Sequence, residues 1–309
     1  MNPKRAVLIA GPTASGKSAL ALAVAERIGH AVIVNADSMQ VYADLRVLTA
    51  RPDAAEVARV RHALFGTVDG ADAYSVARYV EDVSQVIAAA RTQGLLPIIV
   101  GGTGLYFKAL LEGLSPVPGI EPALRKHLRD QAAAFGAARM HEILAAKDPE
   151  MAARLKPGDT QRITRALEVI EATGKSLADW QRLPGVPVLA ADATARFVLS
   201  PSRETLMRRC DARFKLMIEA GALDEVAALG ARGLSPDLPV MRALGVRPLS
   251  AYRAGEISIE EASTQAMAET RQFAKRQVTW LKRYMIAWKW LTAQETKGNT
   301  TEIISNIDL

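Results

Sequence analysis

The chain has 309 residues, 49% of them hydrophobic and 23% charged, with 39 Lys and Arg against 33 Asp and Glu for a net charge of +6. These proportions are those of a globular protein of one large domain or two, and the modest basic excess suits a polyanionic partner. The lone cysteine, Cys210, rules out an internal disulfide, and His30, His62, His127 and His141 lack metal-ligand spacing, so neither zinc nor a thiol nucleophile is expected. No apolar run approaches the roughly 20 residues of a membrane span and the first strand begins almost at once, so no membrane association and a cytoplasmic location are expected.

Arg5 to Ala10 reads as a buried strand and Ala19 to Ile28 as a helix stopped by Gly29. Between them, Gly11-Pro12-Thr13-Ala14-Ser15-Gly16-Lys17-Ser18 has the phosphate-loop pattern of two glycines five apart followed by Lys and Ser. The chemistry requires this spelling. Glycines let backbone N–H groups turn inward, the following helix offers its positive end, Lys17 adds a point charge, and the Ser18 hydroxyl can hold Mg²⁺.

Ala31 to Asn35 is predicted as a second strand that delivers Asp37, Ser38, Gln40 and Tyr42 into a loop of the ligand crevice. Ser75 reads as the N-cap of a helix with Val76, Tyr79, Val80, Val83, Val86 and Ile87 on one face. Leu95 to Val100 is another buried strand, running into the glycine-rich turn Gly101-Gly102-Thr103-Gly104 and a helix from Leu105. Prolines and glycines between Gly113 and Pro122 then break the pattern, and every segment to about Gln181 looks helical.

Arg196 to Leu199 resumes the sheet, and Ser202 caps a helix carrying Arg203, Arg208, Arg209, Arg213 and Lys215. A long helix from Ser258 to about Tyr284 and a short edge strand within Ile286 to Leu291 follow. The predicted fold is α/β, a P-loop nucleoside-triphosphatase-like parallel sheet flanked by helices, with an inserted all-helical domain. Residues 1–114 and 195–294 form its core, 115–194 the insert, and 295–309 a polar tail expected to be flexible.

A phosphate-loop protein that hydrolyses or transfers phosphate normally has a later strand ending in an acid that supports Mg²⁺. Here that strand ends in Gly101-Gly102-Thr103, and the nearest acid is Asp37. Asp37 can serve as a proton acceptor, as an outer Mg²⁺ ligand, or only as the anchor of an Asx-turn. The long helix carries Arg271, Lys275, Arg276, Lys282 and Arg283 with no acid between Thr270 and Arg283, which suits either phosphate contact or a solvated face. Phe273, Trp280 and Tyr284 fall near one face and read as core packing rather than a base-stacking platform.

The phosphate loop, Asp37-Ser38-Met39-Gln40-Val41-Tyr42, Val100-Gly101-Gly102-Thr103-Gly104-Leu105-Tyr106, Gln161-Arg162-Ile163-Thr164-Arg165-Ala166-Leu167-Glu168 and Thr270-Arg271-Gln272-Phe273-Ala274-Lys275-Arg276-Gln277 stand in this order. Together they resemble the tRNA dimethylallyltransferase (IPP transferase) family over about Val7 to Leu291. The resemblance implies transfer of a dimethylallyl group from dimethylallyl diphosphate to the exocyclic amine of the adenosine 3′ of the anticodon, with diphosphate released. It makes Asp37 the general base and Thr103 a contact of the reacting region. Lys17, Arg209 and Ser18 with Mg²⁺ then hold the diphosphate on Gly11 to Ser18. The implied surface for the anticodon stem-loop of tRNA comprises Asp37, Ser38, Met39, Gln40, Thr103, Arg125, Gln161, Arg162, Ile163, Thr164, Arg165, Arg242, Gly245 and Arg247, joined by Arg271, Lys275 and Arg276.

Val246 stands where the family has a tyrosine, and of a His-rich segment of the family only His62 and Leu64 survive around Arg61 to Gly66, so His62 is assigned no role. A monomer is expected. The competing functions are an adenine-nucleotide prenyltransferase, which the helical insert and basic helix argue against, and a phosphate-loop kinase, which lacks its second acid.

Overall fold

A computed structural model describes residues 5–292 and 296–307, and these divide into two compact units, 1–111 with 188–309 and 112–187. The first unit holds one parallel sheet. Its strands are β1 (Ala6–Ala10), β2 (Ala31–Asn35), β3 (Arg61–Ala63), β4 (Leu96–Gly101), β5 (Thr194–Leu199) and β6 (Lys289–Leu291), in the spatial order β3-β2-β4-β1-β5-β6. β1, β2 and β4 are buried along their whole length, as near-continuous apolar runs in a sheet covered on both faces should be.

The helices of this unit are α1 (Lys17–Ile28), α2 (Ala54–Arg59), α3 (Val76–Thr92) and α4 (Gly104–Glu112) before the second unit. The second unit contains α5 (Pro122–Lys147), α6 (Pro149–Arg154), α7 (Thr160–Thr173) and α8 (Leu177–Arg182) around its own core of Leu128, Met140, Leu144, Ile163 and Leu167. The first unit resumes with α9 (Arg203–Glu219), α10 (Ala222–Ala231), α11 (Val246–Arg253), α12 (Ile259–Tyr284) and α13 (Thr296–Ile304). Among the described residues no helix is long and apolar enough to cross a membrane.

Strand order explains where a ligand can sit. The chain leaves β1, builds β2 and β3 on one side, returns with β4 beside β1, and then crosses to β5 and β6 on the other side. The loops after β1, β2 and β4 therefore open together at the carboxyl edge where the winding changes direction, the usual crevice of such sheets.

Three expectations change. The segment Val188 to Thr194, placed in the insert by sequence, belongs to the first unit, where the Val188 and Leu189 N–H groups donate to the Leu110 carbonyl at 2.9 and 3.0 Å. The tail expected to be flexible contains α13, whose Ile303, with Ile307 beyond it, is buried in the same cluster as Leu20, Val24 and Ile28 of α1. The edge strand β3 was not foreseen; Arg61 is exposed and three residues carry no readable period.

Candidate active site

β1 ends in the phosphate loop and α1 begins at Lys17, with Gly16 in the left-handed region at φ 95° as its N-cap. Ala14 also stands at positive φ, 60°, a conformation that costs a residue with a Cβ on the order of 1 kcal/mol and persists because neighbours hold it. Those neighbours come from far along the chain. The Arg209 Nη1 donates to the Ser15 carbonyl at 3.1 Å, Arg213 donates to the Thr13 hydroxyl, and the Thr13 N–H donates to Gln277 Oε1 at 2.7 Å.

Lys17 is half-buried, its Nζ donating to the Pro12 carbonyl at 3.3 Å. Burial pushes its pKa down from 10.5 to about 8, partly offset by the charge of Asp37 and reinforced by that of Arg213. Burial likewise lowers Arg213. The Ser15 hydroxyl is buried with no hydrogen-bond partner. Desolvated cations and an orphaned hydroxyl at a glycine-rich turn leading into a helix N-terminus are what an anion of several oxygens would satisfy. A metal fits the same site only in company with that anion. Among the described residues no group of three or more His, Cys, Asp or Glu is arranged to hold an ion, so Ser18 would share it with phosphate oxygens and water.

β2 and β4 deliver the other half. The Asp37 N–H donates to Asn35 Oδ1 at 2.8 Å, Asn35 Nδ2 donates back to the Asp37 carbonyl at 2.9 Å, and Asp37 Oδ1 accepts the Met39 N–H at 3.0 Å. The Asx-turn considered as the bland role is therefore present, and it fixes the carboxylate in place. Ser38 N–H donates to Thr103 Oγ1 at 3.0 Å, while the Thr103 N–H donates to the Ala36 carbonyl at 3.1 Å. Such closeness requires glycine beforehand. A Cβ on Gly101 would lie 2.0 Å from the Ala36 carbonyl oxygen, and one on Gly102 would lie 2.2 Å from Gln277 Nε2, which itself donates to the Gly102 carbonyl at 2.9 Å. Asp37 and Thr103 are thus tied to each other, and Gln277 ties the Thr103 turn to the phosphate loop.

The profile of the family described as IPP transferase matches residues 40–284, and that of isopentenyl transferase matches residues 4–69. A tRNA dimethylallyltransferase of Rhodopseudomonas palustris is 55% identical over 287 residues, covering 93% of this chain and 90% of the relative. Another from Parvibaculum lavamentivorans is 50% identical over 98% of this chain and 96% of its own. The chain belongs to the IPP transferase family. Among solved structures, the tRNA isopentenylpyrophosphate transferase of Bacillus halodurans is 30% identical at a TM-score of 0.69, covering 98% of this chain and 95% of that one. A eukaryotic dimethylallyltransferase acting on tRNA is 27% identical at a TM-score of 0.81, covering 95% of this chain and 75% of its own.

The remaining family motifs divide by exposure. In the first unit, Arg271 is occupied by an ion pair with Asp211 of α9 at 2.6 Å, whereas Lys275 and Arg276 are exposed. The aromatic stripe expected as core is core only in part, with Trp280 packed against the sheet's main cluster. α12 buries Thr270, Ala274, Gln277 and Leu281 instead, while Phe273 and Trp280 are half-buried and Tyr284 is exposed, with Arg276 over the Phe273 ring and Lys108 and Arg283 over that of Tyr284. Arg242 is exposed and pairs with Asp237 at 3.3 Å, and Gly245 at φ 89° starts α11, which carries the exposed Arg247. Val246 is buried among Leu48, Phe214 and Leu249, so this position faces the core rather than a surface where a ring could stack. The His62 Nδ1 lies 2.8 Å from the Val60 carbonyl, a local contact on the edge strand.

In the second unit, Gln161 and Arg162 on α7 are exposed and Arg165 is partly so, while Ile163 and Thr164 are buried, Ile163 in the unit's core. Arg125 on α5 is half-buried with its Nε lacking a hydrogen-bond partner. Two residues at the phosphate loop escaped sequence reading. Arg213 lies one helical turn beyond Arg209 on α9, and Gln277 is an amide at an apolar-face position of α12; both spacings were visible signals.

Proposed function

We propose that this protein transfers a dimethylallyl group from dimethylallyl diphosphate to the exocyclic N6 amine of the adenosine 3′ of the anticodon of tRNA, releasing diphosphate. The observation that carries this reading is the placement of Asp37 and Thr103 together, linked through Ser38, beside a partly buried cationic phosphate loop whose neighbouring strand ends without an acid. In the reaction the bond between the allylic carbon and diphosphate oxygen breaks, the bond from that carbon to N6 forms, and the amine proton passes to a base. Asp37 is that base. Lys17, Arg209 and Arg213 hold and neutralise the leaving group, and Thr103 orients the reacting amine. Mg²⁺ held by Ser18 and the diphosphate would supply further neutralisation of leaving-group charge. No carboxylate at the end of β4 is needed, because no terminal phosphate is attacked by water.

The target base is stacked in its loop and must be extruded, at a cost of a few kcal/mol. Exposed Lys275, Arg276, Gln161, Arg162 and Arg247 supply phosphate contacts toward that cost. Such an enzyme works in the cytoplasm, where its tRNA substrate is, and as a monomer.

Labelled dimethylallyl diphosphate offered with bulk tRNA, with AMP and with neither tests the substrate class; label should enter tRNA alone, and label in AMP would move the assignment to a nucleotide prenyltransferase. Asp37→Asn keeps size and the turn but cannot take a proton, so turnover should fall by about 10²-fold or more with tRNA affinity nearly unchanged. Recovery of most activity at high Mg²⁺ would reassign Asp37 to metal support.

A further inference from the structure

Acids in the first turn of a helix ordinarily face that helix's own N–H groups. Glu225, in the first turn of α10, does otherwise. Its carboxylate reaches a segment almost 180 positions earlier, where Oε1 accepts the N–H groups of Arg46 and Val47, the latter at 2.6 Å, and Oε2 accepts that of Leu48 at 3.0 Å. Three consecutive backbone N–H groups turned to one point form an anion nest, and here the chain fills it with its own carboxylate.

The nest is tied to the loop that bears Asp37. Directly after it, the Thr49 and Ala50 carbonyls accept the Gln40 side-chain amide at 2.8 and 2.9 Å. Ala50 stands at φ 52°, a left-handed conformation that a residue with a Cβ holds only when its surroundings impose it. Gln40 is three residues past Asp37, and its own carbonyl accepts the Gly66 N–H at 2.9 Å. Orientation of the loop therefore runs from Glu225 through the 46–48 nest and the Thr49 and Ala50 carbonyls to Gln40, and from there to the turn in which Asp37 Oδ1 holds the Met39 N–H.

We propose that Glu225 is a positioning residue for prenyl transfer, clamping residues 46–48 so that the Asp37 to Gln40 loop presents its carboxylate at a fixed place. This inference rests on the dimethylallyl-transfer reading. The phosphate loop is held by other elements, Arg209 and Arg213 of α9 and Gln277 of α12, so the clamp should act on the tRNA side of the reaction and leave the diphosphate side alone.

Glu225→Gln is the test, since one amide oxygen cannot accept three N–H groups and its NH₂ faces donors. Hydrogen exchange on the full chain should show the amides of Arg46, Val47 and Leu48 exchanging at least about tenfold faster. Displacement of a catalytic group by about 1 Å costs up to about 10²-fold, so kcat for tRNA should fall by about tenfold or more, while the Kd for inorganic diphosphate stays within about twofold and Tm within a few degrees. Wild-type kcat in a variant with the nest opened would overturn the proposal. So would a parallel loss of diphosphate affinity and Tm, which marks general destabilisation. If the Gln variant does not fold, Glu225→Asp, which keeps the charge on a shorter arm, carries the same readouts with smaller shifts. Failure of the wild-type protein to prenylate tRNA would defeat the functional reading instead, with the exchange experiment still reporting on the clamp.

Discussion

The cations of the phosphate loop and those of the helical insert look alike in sequence and are opposites in structure. Lys17, Arg209 and Arg213 bond to the loop's own oxygens, and the two arginines reach it from 194 and 200 residues away. In the insert, by contrast, Lys126 pairs with Asp130, Arg139 with Glu142, Arg154 with Glu150 and Arg162 with Asp159, each within one turn of the same helix or its cap, and only Lys147 with Glu171 and Arg182 with Glu150 join different helices among the described pairs. Local exposed pairs of this kind contribute about 0–1 kcal/mol and are exchanged readily for other partners. Lys17 and Arg213, half-buried with only neutral acceptors, carry a desolvation cost that a bound anion relieves. One region is preorganised for a small, highly charged ligand, and the other keeps its charges available for a large one.

Breaking the buried side of that comparison should have the largest effect. Lys17→Met removes a preorganised charge and should lower transfer by about 10²- to 10³-fold in single-turnover assays with labelled dimethylallyl diphosphate. The same variant should be more stable than wild type. The folded-state pKa of Lys17 lies below its ordinary 10.5 at about 8, so at pH 7 the folded protein bears the penalty of a buried ammonium, and that penalty fades only as pH rises from about 8 to 10.5. A shift of that size corresponds to about 3 kcal/mol. A rise in Tm of a few degrees for the Met variant at pH 7, absent at pH 10, checks both halves. Equal or lower Tm at pH 7 would mean that Lys17 is not held against its solvation.

Arg213→Lys is the next cut. It keeps a charge but replaces a planar fork reaching the Thr13 hydroxyl with a single ammonium, and the apparent affinity for dimethylallyl diphosphate should fall about tenfold with tRNA affinity intact. A related measurement needs no variant. Because the protonated form of Lys17 is the one that meets an anion, diphosphate binding should take up a proton at pH values above about 8, and affinity should decline as pH rises beyond that point. Calorimetry of inorganic diphosphate binding in two buffers of different ionisation enthalpy reads the uptake directly. No uptake at pH 9 would place the charge of Lys17 elsewhere.

The contrast also marks what a sequence discloses. The phosphate loop was legible because phosphate chemistry dictates residue types at adjacent positions, and β1, β2 and β4 because apolar runs of this length have few other uses. Asp37 was legible as an acid in the right loop, but its link to Thr103 runs through Ser38, which bonds across 65 positions, and becomes visible only in the fold. Gln277 is harder still, 264 positions from the N–H it receives. The aromatic stripe of α12 is core only in part, for a physical reason. Small residues, Ala262, Ala266 and Ala274, let that helix approach its neighbours closely, so the large rings at Phe273, Trp280 and Tyr284 were left toward the rim. α13 was missed although Ile303 and Ile307 stand four apart, because the segment between Thr296 and Thr301 is otherwise polar.

The smallest effects should come from the insert, and they decide whether its charges serve RNA at all. Arg162 and Arg165 lie on α7, each paired locally with an acid, while Ile163 between them is wholly buried. Arg162→Ala should weaken tRNA binding about two- to fivefold at moderate salt and lower the slope of log affinity against log salt by about one. It should leave Tm and the affinity for diphosphate unchanged, because the lost pair with Asp159 is exposed and local. Ile163→Ala must do the reverse. Emptying that core position should lower stability by about 2–5 kcal/mol without altering the salt slope of whatever folded protein remains. Filter binding across a salt series on the two variants separates charge from packing on adjacent residues of one helix. A salt slope unmoved by Arg162→Ala would make α7 a solvated face, and the phosphate contacts would then have to come from Lys275, Arg276 and Arg247 of the first unit.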